Sequence, residues 1–145
     1  MRTSVTTKKT GSLGARNGHA HCFMCGEQNP RSLGLSFHSL DADTVSARFR
    51  ASPELQGYDG ILHGGVIAAL LDAAMTHCLF HLGVQAITGD LHIRFVKPVP
   101  CKSSLDLRAK AMSIKPPLYR VKAELMQGEQ LMAWAEATFM QRIIK

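Results

Sequence analysis

The chain has 145 residues, of which 46% are hydrophobic and 19% charged, with a formal net charge of +6 at pH 7. This composition excludes a disordered or fibrous protein and fits one globular domain, which at this length buries about two thirds of its unfolded surface. No run reaches the roughly 18 uninterrupted apolar residues of a membrane span, so we expect no membrane association. Four cysteines are too few for a disulfide-rich secreted scaffold, which predicts reduced thiols in a cytoplasmic protein.

The N-terminal segment differs in composition from the rest of the chain. Residues 1–21 supply four of the six excess positive charges and contain no acidic side chain. A basic start rich in Ser and Thr is also typical of organelle transit peptides, but this one has no amphipathic face. We therefore predict a disordered basic tail over residues 1–21 and a single domain over residues 22–145. The remaining charge is spread out, with one Trp, which argues against nucleic-acid binding and suits a small polyanionic ligand.

The first half of the domain has a hairpin pattern followed by one long apolar segment. Leu33 to Leu40 and Thr44 to Arg50 both alternate apolar and polar residues, which predicts two antiparallel strands. A loop rich in Gly and Pro follows. The sequence then predicts a helix from about His63 to Leu82, with Gly83 as its stop.

The second half of the domain contains four strand-like runs, at residues 86–96, 103–112, 119–126 and 130–140. In the first of them, alternation puts Ile87, Leu91, Ile93 and Phe95 on one face. One long helix followed by an antiparallel meander predicts an α+β fold in which the sheet wraps around the helix. Because one sheet cannot cover every side of the helix, we expect a homodimer.

Asp72 interrupts the long helix in an unexpected place. From Val66 to Cys78 the helix is apolar on nearly every side, which is typical of a buried helix. A buried carboxylate costs several kcal/mol unless it is paired or used. Two interpretations follow: either Asp72 is satisfied by a backbone, Ser or Thr partner, or it is a catalytic group.

Two motifs carry a family resemblance. Residues 63–75 read HGGVIAALLDAAM, with Gly60 three residues before the His and Asp72 nine residues after it, and a DLHIRFVKPV strand follows at 90–99. These features resemble the hotdog-fold acyl-CoA thioesterases of the phenylacetate-pathway type. The opening CFMCGEQNPRSLGLSF at 22–37 resembles the start of one branch of that superfamily, so the resemblance covers about residues 22–140.

The resemblance implies a hotdog fold, dimers or tetramers formed through sheet pairing, and active sites at the dimer interface. The implied reaction is hydrolysis of an acyl-CoA thioester to a free acid and coenzyme A. Coenzyme A would then be part of the substrate, and no separate cofactor would be needed.

The resemblance also implies roles for four catalytic positions. Asp72 would be the catalytic carboxylate, acting either as a base on water or as a nucleophile, and Gly64 would offer its backbone N–H to the thioester carbonyl. Unpaired N–H groups at a helix N-terminus are suitable donors for such an oxyanion on chemical grounds alone. Thr88 either helps to position water and the carboxylate or is an ordinary strand residue. His63 is either a cap, a packing residue or a ligand to the substrate.

Substrate binding is expected at five further positions. Gly65 belongs to the same glycine pair as Gly64. Several relatives carry an Asn six residues before the His, where this chain has Gly57. Gln56 beside it either replaces that amide or leaves it missing. Arg94 and Lys97, on the strand after Thr88, are candidates for contacts with the phosphates of coenzyme A.

A group of soft ligands lies near the start of the domain, comprising His19, His21, Cys22 and Cys25. Such side chains can hold zinc, but four ligands within seven residues would strain a tetrahedron. We therefore expect no metal and interpret this segment as a loop that leads into the first strand.

Two other functions stay open at this stage. One is a module that binds acyl-CoA or lipid without turnover, which the Gly57 departure favours and Asp72 disfavours. The other is a different hotdog enzyme, such as a hydratase, which we disfavour because we recognise no Asp-x-x-x-x-His pair that would mark that chemistry.

Overall fold

The structure is a computed structural model that describes residues 17–142, so residues 1–16 of the predicted tail lie outside it. One helix packs on a six-stranded antiparallel sheet with the strand order β1-β2-β4-β5-β6-β3. The elements are β1 His38–Ser39, β2 Thr44–Arg50, a short 3₁₀ helix Pro53–Leu55, α1 Gly64–His81, β3 Ala86–Phe95, β4 Ser104–Lys115, β5 Leu118–Gln127 and β6 Gln130–Gln141. The predicted α+β architecture, a sheet on one long helix, is confirmed.

The first predicted strand is much shorter than expected. Only His38–Ser39 pairs with β2, although the alternating pattern starts at Leu33. The preceding backbone bonds to the N-terminal loop instead, because Leu33 N–H donates to Phe23 O at 2.9 Å and Leu35 N–H donates to Met24 O at 3.0 Å. The alternating pattern from Leu33 therefore reflects burial of side chains against the loop and the core, and it does not indicate strand pairing in the sheet.

The ends of α1 are set by a cap at each terminus. His63 precedes the helix, and its side chain accepts the N–H of Gly65. At the other end Leu82 is the C-cap, and Gly83 follows with φ of +77°, a conformation that suits glycine. The two residues predicted as the first and last of the helix are thus its caps.

The core is built around α1. Eleven of the helix residues are buried, from Ile67 to Phe80, and full burial of a leucine contributes roughly 1.5–3 kcal/mol. By length and composition alone this helix could also cross a membrane, with a mean hydropathy of 1.3, but 61% of it is buried inside the fold. Its apolar character is that of a core helix.

Strand β3 forms an edge of the sheet. It pairs with β6 on one side, and within the described residues no strand covers its other side. Exposed apolar side chains lie along it, including Ile87 at 62% exposure and Phe95 at 53%. An edge with these properties is a surface for strand pairing.

A bulge changes which side chains of β3 face the helix. The register shifts between Thr88 and Asp90, at Gly89. Alternation predicts Ile87 on the same face as Leu91 and Ile93. Ile87 instead pairs with the exposed Met140, whereas Leu91 and Ile93 pair with buried alanines of β6, so that part of the prediction is wrong. The extra residue reverses the face of the sheet on which the preceding β3 side chains lie. Thr88 therefore points toward the helix.

Candidate active site

Asp72 and Thr88 form a close side-chain pair. The Thr88 hydroxyl donates to Asp72 Oδ1 at 2.6 Å. The Thr76 hydroxyl donates to the backbone oxygen of Asp72 at 3.0 Å, and it makes no hydrogen bond to the carboxylate. In the part of the chain that the structure describes, Asp72 Oδ2 meets no donor. One oxygen of the carboxylate is thus held in place while the other can accept a proton or attack a carbon.

Asp72 is less buried than its surroundings suggest. Its neighbours Leu71 and Ala73 are buried, whereas Asp72 is only partly buried in the single chain. The expectation of a fully buried carboxylate is therefore corrected: the side chain lies on the face of α1 next to β3, where the edge of the sheet leaves it partly open.

The start of α1 leaves a single backbone donor without an acceptor. His63 Nδ1 accepts the Gly65 N–H at 2.8 Å, and His63 O accepts the N–H groups of Val66 at 3.0 Å and Ile67 at 3.1 Å. Among residues 17–142, the Gly64 N–H donates to no acceptor. His63 is therefore a helix cap, one of its three possible roles, and its ring occupies the N–H of Gly65.

A cavity of about 670 Å³ opens at this end of the helix. Of the residues singled out from the sequence, Gly57, His63, Gly64 and Lys97 line it. Sequence reasoning missed the apolar and aromatic wall, which consists of Tyr58, Ile61, Leu62, Ile67, Phe95, Val96, Pro98 and Val99. Phe95 lies beside Gly64, with a ring atom 3.6 Å from the position that a Cβ on Gly64 would occupy. The only signal for Phe95 in the sequence was the strand alternation.

The site residues fall into two separate groups in one chain. Asp72 and Thr88 do not line the cavity that contains Gly64. Eight residues of helix separate Gly64 from Asp72, which corresponds to about 12 Å along the axis. One thioester carbonyl cannot meet the Gly64 N–H and the Asp72 carboxylate of the same chain at once.

Gln56 and Arg94 do not contact the cavity. Gln56 Oε1 accepts the Gly60 N–H at 3.0 Å, so this side chain closes the turn before the helix. Gly57 lies against His63, with a Cβ position 3.4 Å from the His63 Cα. Arg94 is exposed on β3, opposite Trp134.

A hydratase-like pair would need an acid and a base at one site. Asp72 and His77 do have the Asp-x-x-x-x-His spacing, so the expectation that no such pair is present is wrong. Five residues along α1 rotate the His77 side chain by about 140° from that of Asp72. The His77 ring stacks on Phe37 with centroids 4.5 Å apart, whereas Asp72 faces Thr88. The two groups face different surroundings, which disfavours the hydratase alternative.

The N-terminal loop packs on the second half of α1. The His19 ring contacts Phe80 edge-on at 4.9 Å. Burial lowers the pKa of His19, and the charge of Arg142 lowers it further, while the negative charge of Asp72 opposes both. Three of the four soft ligands predicted here lie together, since the ligand atoms of His19, Cys22 and Cys25 are all within 4.8 Å of one another. His21 is exposed and outside this group.

The family follows from a comparison with known proteins. The profile of the thioesterase superfamily matches residues 59–133, just over half of the chain, including α1, β3 and most of the cavity wall. The chain belongs to the thioesterase superfamily. This confirms the family resemblance carried by the HGG motif.

Relatives of this superfamily agree in sequence and in fold. Acyl-coenzyme A thioesterase THEM4 of Mus musculus is 29% identical over 104 residues, which are 72% of this chain and 44% of that protein. The chain thus spans less than half the length of this curated relative. A crystal structure of a thioesterase superfamily protein superposes with a TM-score of 0.77 at 25% identity, covering 83% of this chain and 60% of the other. The structure of a phenylacetic acid degradation-related protein of Ralstonia eutropha JMP134 superposes with a TM-score of 0.69 at 26% sequence identity. The match covers 74% of this chain and 85% of that one.

Proposed function

We propose that this chain hydrolyses acyl-CoA thioesters to a free acid and coenzyme A. The observation that carries the proposal is the Gly64 N–H at the wall of an apolar cavity, which has no acceptor in the described part of the chain. Hydrolysis of a thioester develops negative charge on the carbonyl oxygen, and a fixed backbone donor stabilises that charge. The name of the mouse relative, an acyl-coenzyme A thioesterase, supports this substrate class.

The proposed reaction uses Asp72 as its second group. As a base, the carboxylate takes a proton from water while the water oxygen bonds to the thioester carbon; the C–S bond then breaks and the thiolate of coenzyme A leaves. As a nucleophile, Asp72 Oδ2 bonds to that carbon, the C–S bond breaks and the thiolate of coenzyme A leaves. Water then hydrolyses the resulting anhydride to the free acid and restores the Asp72 carboxylate. In both routes the Thr88 hydroxyl holds Oδ1, which makes Thr88 a positioning residue.

The cavity fits the two ends of such a substrate. Its wall is largely apolar and aromatic, which suits an acyl chain. Lys97 belongs to the same wall and provides a cation for the phosphates of coenzyme A. Coenzyme A is part of the substrate here, and the reaction needs no further cofactor.

We propose that the complete site forms between two copies of the chain. Thr88, next to Asp72, and Phe95, next to Gly64, lie toward opposite ends of β3. If two β3 edges pair antiparallel about a twofold axis near Leu91, Thr88 of one chain comes close to Phe95 of the other. Asp72 of one chain would then approach Gly64 of the second, giving two sites per dimer. We also propose a cytoplasmic location, because four cysteines are too few for a disulfide-rich secreted scaffold.

The proposed activity is tested by thiol release from a panel of acyl-CoA substrates that varies chain length and aromaticity. We expect turnover of at least one member, with saturation kinetics. Isothermal titration with the same panel, or with a nonhydrolysable thioether analogue, measures binding separately. Tight binding without release of thiol would favour the binding-module alternative, and neither binding nor release would reject both functions.

We expect Leu91→Glu to separate the dimer. Because Leu91 lies near the proposed twofold axis, one substitution brings two carboxylates together, and opposed like charges destabilise paired strands. Light scattering of the wild-type chain should give at least twice the monomer mass of 15.8 kDa, and the variant should give the monomer mass with much reduced turnover.

Met112→Glu is the matched control for this prediction. Met112 is 61% exposed, and it lies on β4, which is not the edge strand. This variant should keep the wild-type mass. A folded wild-type chain of monomer mass at micromolar concentration would contradict the dimer and, with it, the shared active site.

A further inference from the structure

The loop before β1 brings three metal-binding side chains to one point. The distance between Cys25 Sγ and His19 Nδ1 is 3.6 Å. Zinc binds sulfur at about 2.3 Å and nitrogen at about 2.0–2.1 Å, so two such ligands of a tetrahedral ion lie about 3.6 Å apart. The third ligand atom, Cys22 Sγ, is within 4.8 Å of both, which leaves only a small adjustment for all three to reach one ion.

The backbone of this loop is shaped around the first sulfur. Met24 N–H donates to Cys22 Sγ at 3.3 Å, and Gly26 N–H donates to Cys22 O at 2.8 Å. A Cβ on Gly26 would lie 2.6 Å from Cys22 O, which is too close for any residue other than glycine. The two bonds hold Cys22 and Cys25 in a tight turn with their sulfurs near each other.

The expectation of a metal-free loop depended on strain among four consecutive ligands. The structure removes that objection, because His21 is exposed and takes no part in the cluster. Three protein ligands and one water complete a tetrahedron without strain.

We propose that His19, Cys22 and Cys25 bind one Zn²⁺, with a water molecule as the fourth ligand. Two thiolates and an imidazole form a donor set that binds Zn²⁺ in preference to Mg²⁺ or Ca²⁺, which prefer oxygen ligands. On binding, the two thiols release their protons to solvent. Since His19 packs on Phe80 and Met24 is buried in the core, the ion ties the N-terminal loop to the second half of α1.

The test is the zinc content of the full chain, purified under reducing conditions and dialysed after addition of ZnCl₂. We expect about one zinc per chain, and loss of at least ten-fold in zinc content in His19→Gln, Cys22→Ser and Cys25→Ser. The matched controls are His21→Gln, a histidine of the same loop, and Cys101→Ser, a thiol outside the cluster; both should keep their zinc. Replacement by Co²⁺ should give thiolate-to-cobalt charge-transfer absorption that the two Cys22 and Cys25 variants lack.

A chelator should lower the melting temperature of the wild type and leave that of His19→Gln unchanged. If the cysteine variants fail to fold, His19→Gln and the wild-type zinc content still decide the outcome. Reduced wild type that takes up no zinc would overturn the proposal, as would zinc retained by all three ligand variants or lost in His21→Gln. A Cys22–Cys25 disulfide in protein that stays zinc-free after reduction would also overturn it.

Discussion

Asp72→Asn is expected to lower the turnover number by roughly 10²- to 10⁴-fold, the usual cost of losing a positioned base, and by at least as much if Asp72 is the nucleophile. The amide keeps the size of the side chain and an oxygen that accepts the Thr88 hydroxyl, which now lies 2.6 Å from Oδ1. Folding and acyl-CoA binding should therefore survive. The measurement is steady-state thiol release, with circular dichroism and titration of a thioether analogue for fold and affinity.

Asp90→Asn is the matched control, because Asp90 is an exposed carboxylate on the same edge strand. It should leave turnover within about twofold of wild type. If Asp72→Asn itself stays within about threefold, which is less than 1 kcal/mol in the barrier, the catalytic assignment of Asp72 is wrong. The carboxylate would then be a polar group satisfied by Thr88 alone.

Gly64→Pro is expected to lower the turnover number by roughly 10²- to 10³-fold, the cost of one oxyanion donor, without harm to the helix. Proline removes the one N–H of the first turn of α1 that has no acceptor among residues 17–142, and the first helical position is the one where proline is best tolerated. His63 has φ of −59° and ψ of 131°, the conformation that a residue before proline adopts. The melting temperature should be unchanged or higher.

Gly64→Ala separates the loss of the donor from the added bulk. Its Cβ would lie 3.6 Å from the Phe95 ring, an ordinary contact, and its N–H remains. It should retain at least tenfold more activity than Gly64→Pro. Equal activity of the two variants would show that the N–H at this position does not act on the carbonyl.

Mixing the two inactive proteins tests whether one site draws on both chains. After unfolding and joint refolding, half of the randomly assorted dimers contain one Asp72→Asn chain and one Gly64→Pro chain, and each such dimer has one intact site. About a quarter of the wild-type activity should return. No recovery, with mixed dimers demonstrated by mass spectrometry, would mean that both groups act from the same chain.

The sequence predicted most of the fold because its signals are local. Apolar periodicity, the glycine stop at Gly83 and the turn residues between strands each act over a few positions. The exception was Leu33 to Phe37, where burial of alternate residues against a loop imitated a strand. Periodicity reports which side chains are buried, and the partner that covers them depends on distant parts of the chain.

The site was predicted less completely for a related reason. The helix start and the spacing to Asp72 are visible in the sequence, and Gly64 and Asp72 stand where those features indicate. The bond from Thr88 to Asp72 depends on a register shift that no propensity signals. The close approach of His19 to Cys25 depends on a loop conformation fixed by contacts with Phe80 and the core.

The bulge at Gly89 has a consequence for how related chains are aligned. Along β3, side chains alternate between the face toward the helix and the face toward solvent, and the extra residue at Gly89 shifts this alternation by one position. Odd-numbered residues after Gly89 and even-numbered residues before it therefore face the helix. A relative that lacks Gly89 has its hydroxyl one position nearer to the DLHIRF segment if that hydroxyl is to face the helix. For such a relative, a gap placed at Gly89 would align its hydroxyl with that of Thr88.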